Sequence, residues 1–160
     1  KGLPASVVTK VLDERITLAS GGRELVSTMR ANGGYAALVS GGFTAFTETV
    51  SARLGFDEHR ANTLIVDGDS LAGDVARPIL GREAKIKALA EISARLGLSE
   101  TDVIAVGDGA NDLGMLGRAG TGVALHAKPV VAAECDVRIN HGDLTALLYL
   151  QGYAREDFTA

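Results

Sequence analysis

The segment Val106-Gly107-Asp108-Gly109-Ala110-Asn111-Asp112 brings two carboxylates and a carboxamide close together in the chain. It follows the apolar run Val103–Val106, which is typical of a buried parallel strand. The glycines permit a sharp turn at the carboxyl end of that strand, where open α/β sheets bind their ligands. Clustered oxygen ligands suit a hard cation such as Mg²⁺, which commonly takes one or two carboxylates together with water and phosphate oxygens. The segment therefore predicts a phosphate-handling site with a metal ion.

Two further stretches carry groups that phosphoryl transfer requires. Ser40-Gly41-Gly42 follows the short apolar run Tyr35–Val39, so a hydroxyl and backbone N–H groups are available to bind an anion. Lys85 lies one turn into a predicted helix and presents a positive charge to a phosphoryl group. Taken singly, these features have structural alternatives, namely a plain turn, a solvated lysine and an aspartate helix cap. Their combination supplies donors, a cation and a carboxylate-held metal, and this favours function.

The elements that must position these groups alternate between helices and strands. The predicted helices are Leu3–Leu12, Arg23–Asn32, Phe43–Leu54, Arg82–Leu96, Asp112–Arg118, Pro129–Glu134 and Leu144–Gln151. The predicted strands are Tyr35–Val39, Val103–Val106, Gly122–Leu125 and Val137–Ile139, with a hairpin of Leu64–Val66 and Leu71–Val75. This order predicts an α/β fold, a Rossmann-like open parallel sheet with helices on both faces.

Composition excludes several classes of protein. The 160 residues, 46% of them apolar, fit one compact domain rather than a disordered chain. A net charge of −4 offers no electrostatic surface for nucleic acid, and no apolar run approaches the ~20 residues that cross a membrane. The single Cys135 cannot form an internal disulfide. We therefore expect a cytoplasmic protein with a small-molecule partner and neither a nucleic-acid nor a membrane partner.

The phosphate-handling segments resemble the motifs of a known family, the haloacid dehalogenase-like phosphatases. Its second, third and fourth motifs are matched by Val39-Ser40-Gly41-Gly42-Phe43, by Lys85 and by Val106–Asp112. Three other segments narrow the resemblance to the phosphoserine phosphatases, and these are Arg60-Ala61-Asn62, Gly73-Asp74-Val75 and Ala127-Lys128-Pro129. The resemblance extends over nearly the whole chain.

This resemblance implies a Mg²⁺-dependent hydrolase that converts phosphoserine to serine and phosphate in L-serine biosynthesis. It implies that Ser40 and the Gly41 amide bind phosphate and that Lys85, as a catalytic residue, neutralises the phosphoryl charge. It further implies that Asn111 contacts the phosphate or substrate and that Asp108 ligates Mg²⁺. Asp112 would act from outside the ligand sphere by orienting Lys85 or a metal-bound water.

The family's first motif, Asp-x-Asp-x-Thr, has no counterpart ahead of Ser40. In the family, its first Asp is the nucleophile that forms an aspartyl-phosphate, and its second is the general acid and base. We expect such a segment roughly 50 to 90 residues before Lys1. Residues 1–17 are then the end of a helical cap, residues 18–153 a core lacking its first strand, and residues 154–160 a tail. The chain alone is predicted to be inactive, and we expect it to be unstable, to dimerise through the gap in its sheet, or to repack.

Asp67-Gly68-Asp69-Ser70 looks like the missing motif but has Leu71 where Thr is required, and Asp-Gly between strand-like runs predicts a hairpin turn. Two other functions stay open. One is a related phosphatase with another small phosphomonoester as substrate. The other is a non-catalytic phosphate-binding module. A motif like Gly107–Asp112 also occurs in the phosphorylation domain of P-type ion pumps, but that interpretation requires long apolar spans and an inserted nucleotide domain, and these 160 residues contain neither.

Overall fold

Parallel strands joined by helices make up most of the structure, a computed structural model that describes residues 1–159. The helices are α1 (Val7–Glu14), α2 (Gly22–Ala31), α3 (Thr44–Leu54), α4 (Arg82–Leu96), α5 (Leu113–Leu116), α6 (Pro129–Ala133) and α7 (Ala146–Leu150). The strands are β1 (Ala37–Phe43), β2 (Glu58–Asn62), β3 (Leu64–Asp67), β4 (Ser70–Val75), β5 (Ile104–Gly107), β6 (Thr121–Leu125) and β7 (Val137–Ile139). Contacts divide the chain into two compact units, one of residues 1–79 with the segment from Asp143 onward, the other Leu80–Gly142.

In the first unit, β1 and β2 pair in parallel and α3 connects them. The helix ends as predicted at Leu54, where Gly55 adopts a left-handed conformation with φ 82°. The predicted turn at Ser40-Gly41-Gly42 is wrong, because these residues lie within β1. The pairing shifts register there, between Val39 and Phe43, so the segment is an irregularity inside a strand rather than a turn after one.

Strand β2 has no counterpart among the predicted strands. Its sequence, Glu58-His59-Arg60-Ala61-Asn62, has three ionisable side chains in a row and no alternation of apolar residues. Pairing with β1 nevertheless buries its last two residues. The strand therefore arises from tertiary contact that no local pattern indicates.

The hairpin around Asp67 and Gly68 is confirmed. Strands β3 and β4 pair antiparallel, Asp67 lies opposite Ser70, and Gly68 has φ 56°. The chain ahead of α1 runs beside β4, because the Gly2 N–H donates to the Leu71 carbonyl at 2.8 Å. This pairing corrects the predicted first helix, which begins at Val7 rather than Leu3.

In the second unit, three parallel strands lie in the order β5–β6–β7. Helix α4 has the predicted bounds, and Gly97 ends it with φ 70°. The core of the unit is a cluster of buried residues, namely Ala105, Leu116, Ala124, Val131 and Cys135. Burial raises the pKa of the Cys135 thiol, as befits a packing residue.

The α/β class and the parallel strand pairing are thus as predicted. Within residues 1–159, no helix combines the length and apolar character that spanning a bilayer requires.

Candidate active site

The loop from Asp108 to Asp112 lies at the carboxyl end of β5, the end at which open α/β sheets bind ligands. Strand β5 ends at Gly107, and α5 begins at Leu113. The loop doubles back so closely that a Cβ on Gly107 would lie 2.5 Å from the Cβ of Asp112. Glycine at position 107 therefore makes room for the Asp112 side chain to fold over the strand end.

Asp112 is buried, with 4% of its surface exposed, and both of its carboxylate oxygens have hydrogen-bond donors. Its Oδ2 accepts the backbone N–H groups of Asp108 at 3.2 Å and of Gly109 at 3.1 Å. Its Oδ1 accepts a hydrogen bond from the Nζ of Lys85. The Asp112 side chain thus binds both the Asp108–Gly109 backbone and Lys85, whereas an aspartate helix cap would bind the N–H groups of its own helix.

Lys85 reaches Asp112 from α4, and it is 9% exposed. Helix α4 packs on α5 so tightly that a Cβ on Gly114 would lie 2.5 Å from the Cδ1 of Ile86. A buried lysine must be paired to remain charged at low cost, and Asp112 provides the counter-charge. Among residues 1–159, Asp112 is the only hydrogen-bond acceptor for the ammonium, so N–H groups are left to donate to an anion.

The side chains of Asp108 and Asn111 are exposed beside this pair. Neither makes a side-chain hydrogen bond within the part of the chain that the structure describes. The Asp108 carbonyl accepts the backbone N–H of Lys128 at 3.4 Å, which ties the loop to the start of α6. The carboxylate of Asp108 is therefore open to a ligand.

The exposed oxygen ligands of this loop suit Mg²⁺ better than a metal ion that takes all of its ligands from the protein. Over residues 1–159, no three His, Cys, Asp or Glu side chains cluster closely enough to hold an ion by themselves. Mg²⁺ commonly binds through one or two carboxylates and takes its other ligands from water and phosphate. Asp108 meets that need, whereas the oxygens of Asp112 are already engaged.

Ser40 and Gly41 lie in the first unit, in the irregular part of β1. The Oγ of Ser40 accepts the backbone N–H of Gly42 at 3.0 Å, so its own hydrogen stays available to a ligand. The Gly41 carbonyl accepts the side-chain amide of Asn62 at 2.9 Å. The sequence marks Asn62 only as part of Arg60-Ala61-Asn62, a segment that resembles the family, and that resemblance assigns it no role.

The structure thus brings Lys85, Asp112 and the loop containing Asp108 together within the second unit. It places Asp67 and Asp69 in a hairpin rather than after a parallel strand. The roles of the predicted site residues, and the action of Ser40 and Gly41 on the same phosphate, stay predictions.

Comparison with known proteins adds independent findings. A family model described as haloacid dehalogenase-like hydrolase matches residues 1–117. The phosphoserine phosphatase of Streptomyces coelicolor is 44% identical over 160 residues, which cover 99% of this chain and 38% of that protein. Phosphoserine phosphatase SerB2 of Mycobacterium tuberculosis is 40% identical over 160 residues, which cover 99% of this chain and 39% of that protein. The chain therefore spans about two-fifths of the length of these two relatives.

A solved structure is similar as well. It is a phospho-aspartyl intermediate analogue of phosphoserine phosphatase, 37% identical to this chain, with a TM-score of 0.88. The match covers 94% of this chain and 71% of that one.

Proposed function

Because this chain belongs to the haloacid dehalogenase-like hydrolases, we propose that the protein carrying it hydrolyses L-phosphoserine to serine and inorganic phosphate. The observation that carries the proposal is the buried Lys85–Asp112 pair, anchored to the Asp108–Gly109 backbone at the end of β5. The similarity to proteins named phosphoserine phosphatase favours this substrate over other phosphomonoesters. Because serine is a product of this reaction, the activity would place the protein in L-serine biosynthesis.

The residues of this chain would bind the phosphate and balance its charge. The Ser40 hydroxyl and the Gly41 amide donate to phosphate oxygens, Lys85 neutralises the charge that develops on them, and Asn111 contacts the phosphate or substrate. Asp108 would hold Mg²⁺, which when bound stabilises negative charge on the phosphoryl oxygens. Asp112 keeps Lys85 oriented, and it does so without ligating the metal.

The nucleophile would come from an Asp-x-Asp-x-Thr segment, which is absent from these 160 residues. Its first carboxylate attacks phosphorus and displaces the serine oxygen, which takes a proton from the second Asp. Water then hydrolyses the aspartyl-phosphate. The similar solved structure is that of a phospho-aspartyl intermediate analogue, in keeping with this route. We accordingly propose that the 160-residue chain alone does not turn over.

Self-association is the related proposal for the isolated chain. Among the described strands, β5 pairs only with β6 and so leaves one backbone edge open. We propose that this edge pairs with a second copy when the chain stands alone. Sedimentation at several concentrations would show a monomer–dimer equilibrium, and a monomer at all concentrations would contradict it.

The decisive test is phosphate release by the full-length protein from phosphoserine, phosphothreonine and a sugar phosphate, with and without Mg²⁺. We expect phosphoserine to react fastest, and chelation of Mg²⁺ to abolish the reaction. Lys85→Met should lower kcat by about a thousandfold, the scale of losing a preorganised charge-stabilising group. The matched control is Lys87→Met on the same helix, where the side chain is 76% exposed and kcat should be unchanged.

Each alternative has its own outcome in this test. Equal rates on all three substrates would favour a less selective phosphatase. Phosphate binding by the full-length protein without turnover would favour a binding module. Robust turnover by the 160-residue chain alone would contradict the absent nucleophile.

A further inference from the structure

Strand β1 is irregular at Ser40-Gly41-Gly42, where its pairing with β2 shifts register. Regular pairing with β2 covers Ala37 to Val39 and resumes where Phe43 lies opposite Asn62. Between these points β1 has three residues, Ser40 to Gly42, where β2 has only Ala61. The surplus residues leave the regular ladder, so their backbone groups need other partners.

Asn62 provides one of those partners. It is 6% exposed and ends β2 directly beside the irregular segment. Its Nδ2 donates to the Gly41 carbonyl at 2.9 Å. This bond fixes the plane of the peptide unit that joins Gly41 to Gly42.

The other side of the same peptide unit contacts Ser40. In a trans peptide, the C=O of one residue and the N–H of the next point in opposite directions. The Gly42 N–H donates to the Oγ of Ser40 at 3.0 Å. One continuous hydrogen-bonded chain therefore runs from Asn62 through the Gly41–Gly42 peptide to the Ser40 hydroxyl.

We propose that Asn62 is a positioning residue for anion binding and that it acts through Ser40. By holding the Gly41 carbonyl, Asn62 keeps the Gly42 N–H directed at the Ser40 oxygen. That oxygen is then committed as an acceptor, and its hydrogen is left to donate to a phosphate oxygen. Consecutive hydrogen bonds also polarise one another, which makes the Ser40 hydroxyl a better donor. The inference deepens the proposed function and rests on its assignment of Ser40 to the phosphate.

Two substitutions of Asn62 in the full-length protein test the proposal. Asn62→Asp preserves the shape and the acceptor oxygen but puts a carboxylate against the Gly41 carbonyl, while Asn62→Ser is neutral and too short to reach it. A matched control is Asn32→Asp, since the Asn32 Nδ2 donates to the Thr28 carbonyl at the same 2.9 Å. The probe is inorganic phosphate, measured both as Kd by amide NMR at Gly41 and Gly42 and as a competitive Ki.

Both Asn62 variants should weaken phosphate binding by about tenfold, the scale of one well-oriented hydrogen bond to a charged group. The phosphate Kd of the Asn32→Asp control should stay within about twofold of wild type, because this substitution removes a similar hydrogen bond that lies outside the proposed anion site. Substrate KM should rise by the same factor as the phosphate Ki. A merely structural role would lower the melting temperature and leave Kd unchanged in the folded fraction.

A double substitution separates positioning from general damage. In a Ser40→Ala background, Asn62→Ser should leave the phosphate Kd within about twofold, because the group through which Asn62 acts is gone. Additive losses in the double variant would overturn the proposal, as would an unchanged Kd in folded Asn62→Ser. If Asn62→Asp fails to fold, Asn62→Ser decides alone.

Failure of the proposed function has a different signature. A wild-type protein that binds phosphate at Gly41 but does not hydrolyse phosphoserine would refute the proposed reaction. The phosphate Kd values of the Asn62 variants would still test the role of Asn62 in that case. A wild-type protein whose Gly41 and Gly42 amides do not respond to phosphate would refute the role of Asn62.

Discussion

Replacing Asp112 with Asn perturbs the buried pair with almost no change in side-chain shape. The Asn oxygen can still accept the N–H groups of Asp108 and Gly109, which Asp112 binds at 3.2 and 3.1 Å. Its amide, however, places a donor against the Lys85 ammonium where a carboxylate oxygen was. The substitution therefore removes the counter-charge of Lys85 and leaves most other contacts in place.

The expected loss follows from burial. Asp112 is 4% exposed and Lys85 is 9% exposed, so neither charge is well solvated in the folded protein. Removing one partner of a buried ion pair costs about 3–5 kcal/mol, because the other charge stays buried without compensation. With urea slopes of about 1–3 kcal/mol/M, the unfolding midpoint should fall on the order of 2 M.

Urea unfolding followed by circular dichroism measures this loss, and an exposed pair on the same helix is the control. Lys87 lies 3.5 Å from Glu91 with its side chain 76% exposed, so Lys87→Gln should cost only about 0.3–0.5 kcal/mol. Lys85→Met combined with Asp112→Asn removes both charges and should be more stable than Asp112→Asn alone. A loss below about 1 kcal/mol for Asp112→Asn, or a double variant less stable than that single variant, would refute the reasoning.

Three other predictions concern separate features. Asp67→Asn should leave phosphoserine turnover by the full-length protein within a few-fold, because Asp67 lies in a hairpin. A loss of several orders of magnitude would instead identify Asp67 as the nucleophile. Gly107→Ala should lower the urea midpoint, because its Cβ would lie 2.5 Å from the Asp112 Cβ, and an unchanged midpoint would contradict that crowding. A hydrogen bond from the Thr145 hydroxyl is the main cause that holds the pKa of Asp143 below its ordinary 3.8. The Asp143 carboxylate therefore stabilises the fold at neutral pH, and this stabilisation is lost as the pH falls below 3.8. Asp143→Asn removes it at every pH. Unfolding free energies of wild type and Asp143→Asn should therefore converge in acid, and a gap that widens there would contradict the sign.

Features with a complete local signal could be predicted from the sequence. Helix α4 has the predicted bounds, because a long helix-forming run lies between Gly81 and Gly97. The hairpin at Gly68 followed from the same kind of signal, since Asp-Gly between apolar runs needs a left-handed residue at the turn.

Features that depend on contacts between distant residues could not be predicted. Glu58–Asn62 is too polar to indicate a strand, and only its pairing with β1 makes it one. Ser40-Gly41-Gly42 has residue types that are common in turns, and the same types are common at irregularities inside strands. Composition alone therefore cannot distinguish a turn from the strand irregularity that the structure shows.

The candidate site shows the same division. Asp108 and Asp112 were visible as carboxylates after a predicted strand, and Lys85 was visible as a positive charge one turn into a predicted helix. The contact between Lys85 and Asp112 joins residues 27 positions apart and depends on the packing of α4 against α5. The only signal at Asn62 was its membership of Arg60-Ala61-Asn62, because its proposed role depends on a hydrogen bond to a backbone carbonyl that the sequence does not reveal.

We propose that Ser40, Gly41, Lys85 and Asp108 act on one phosphoryl group. A titration of the full-length protein with inorganic phosphate in the presence of Mg²⁺ tests it most directly, with ¹⁵N NMR reporting on the Gly41 amide, the Gly109 amide and the Lys85 ammonium. All three signals should shift with a single Kd, and this Kd should rise in Lys85→Met. Signals that saturate at different phosphate concentrations, or a Lys85 ammonium that does not respond, would contradict it.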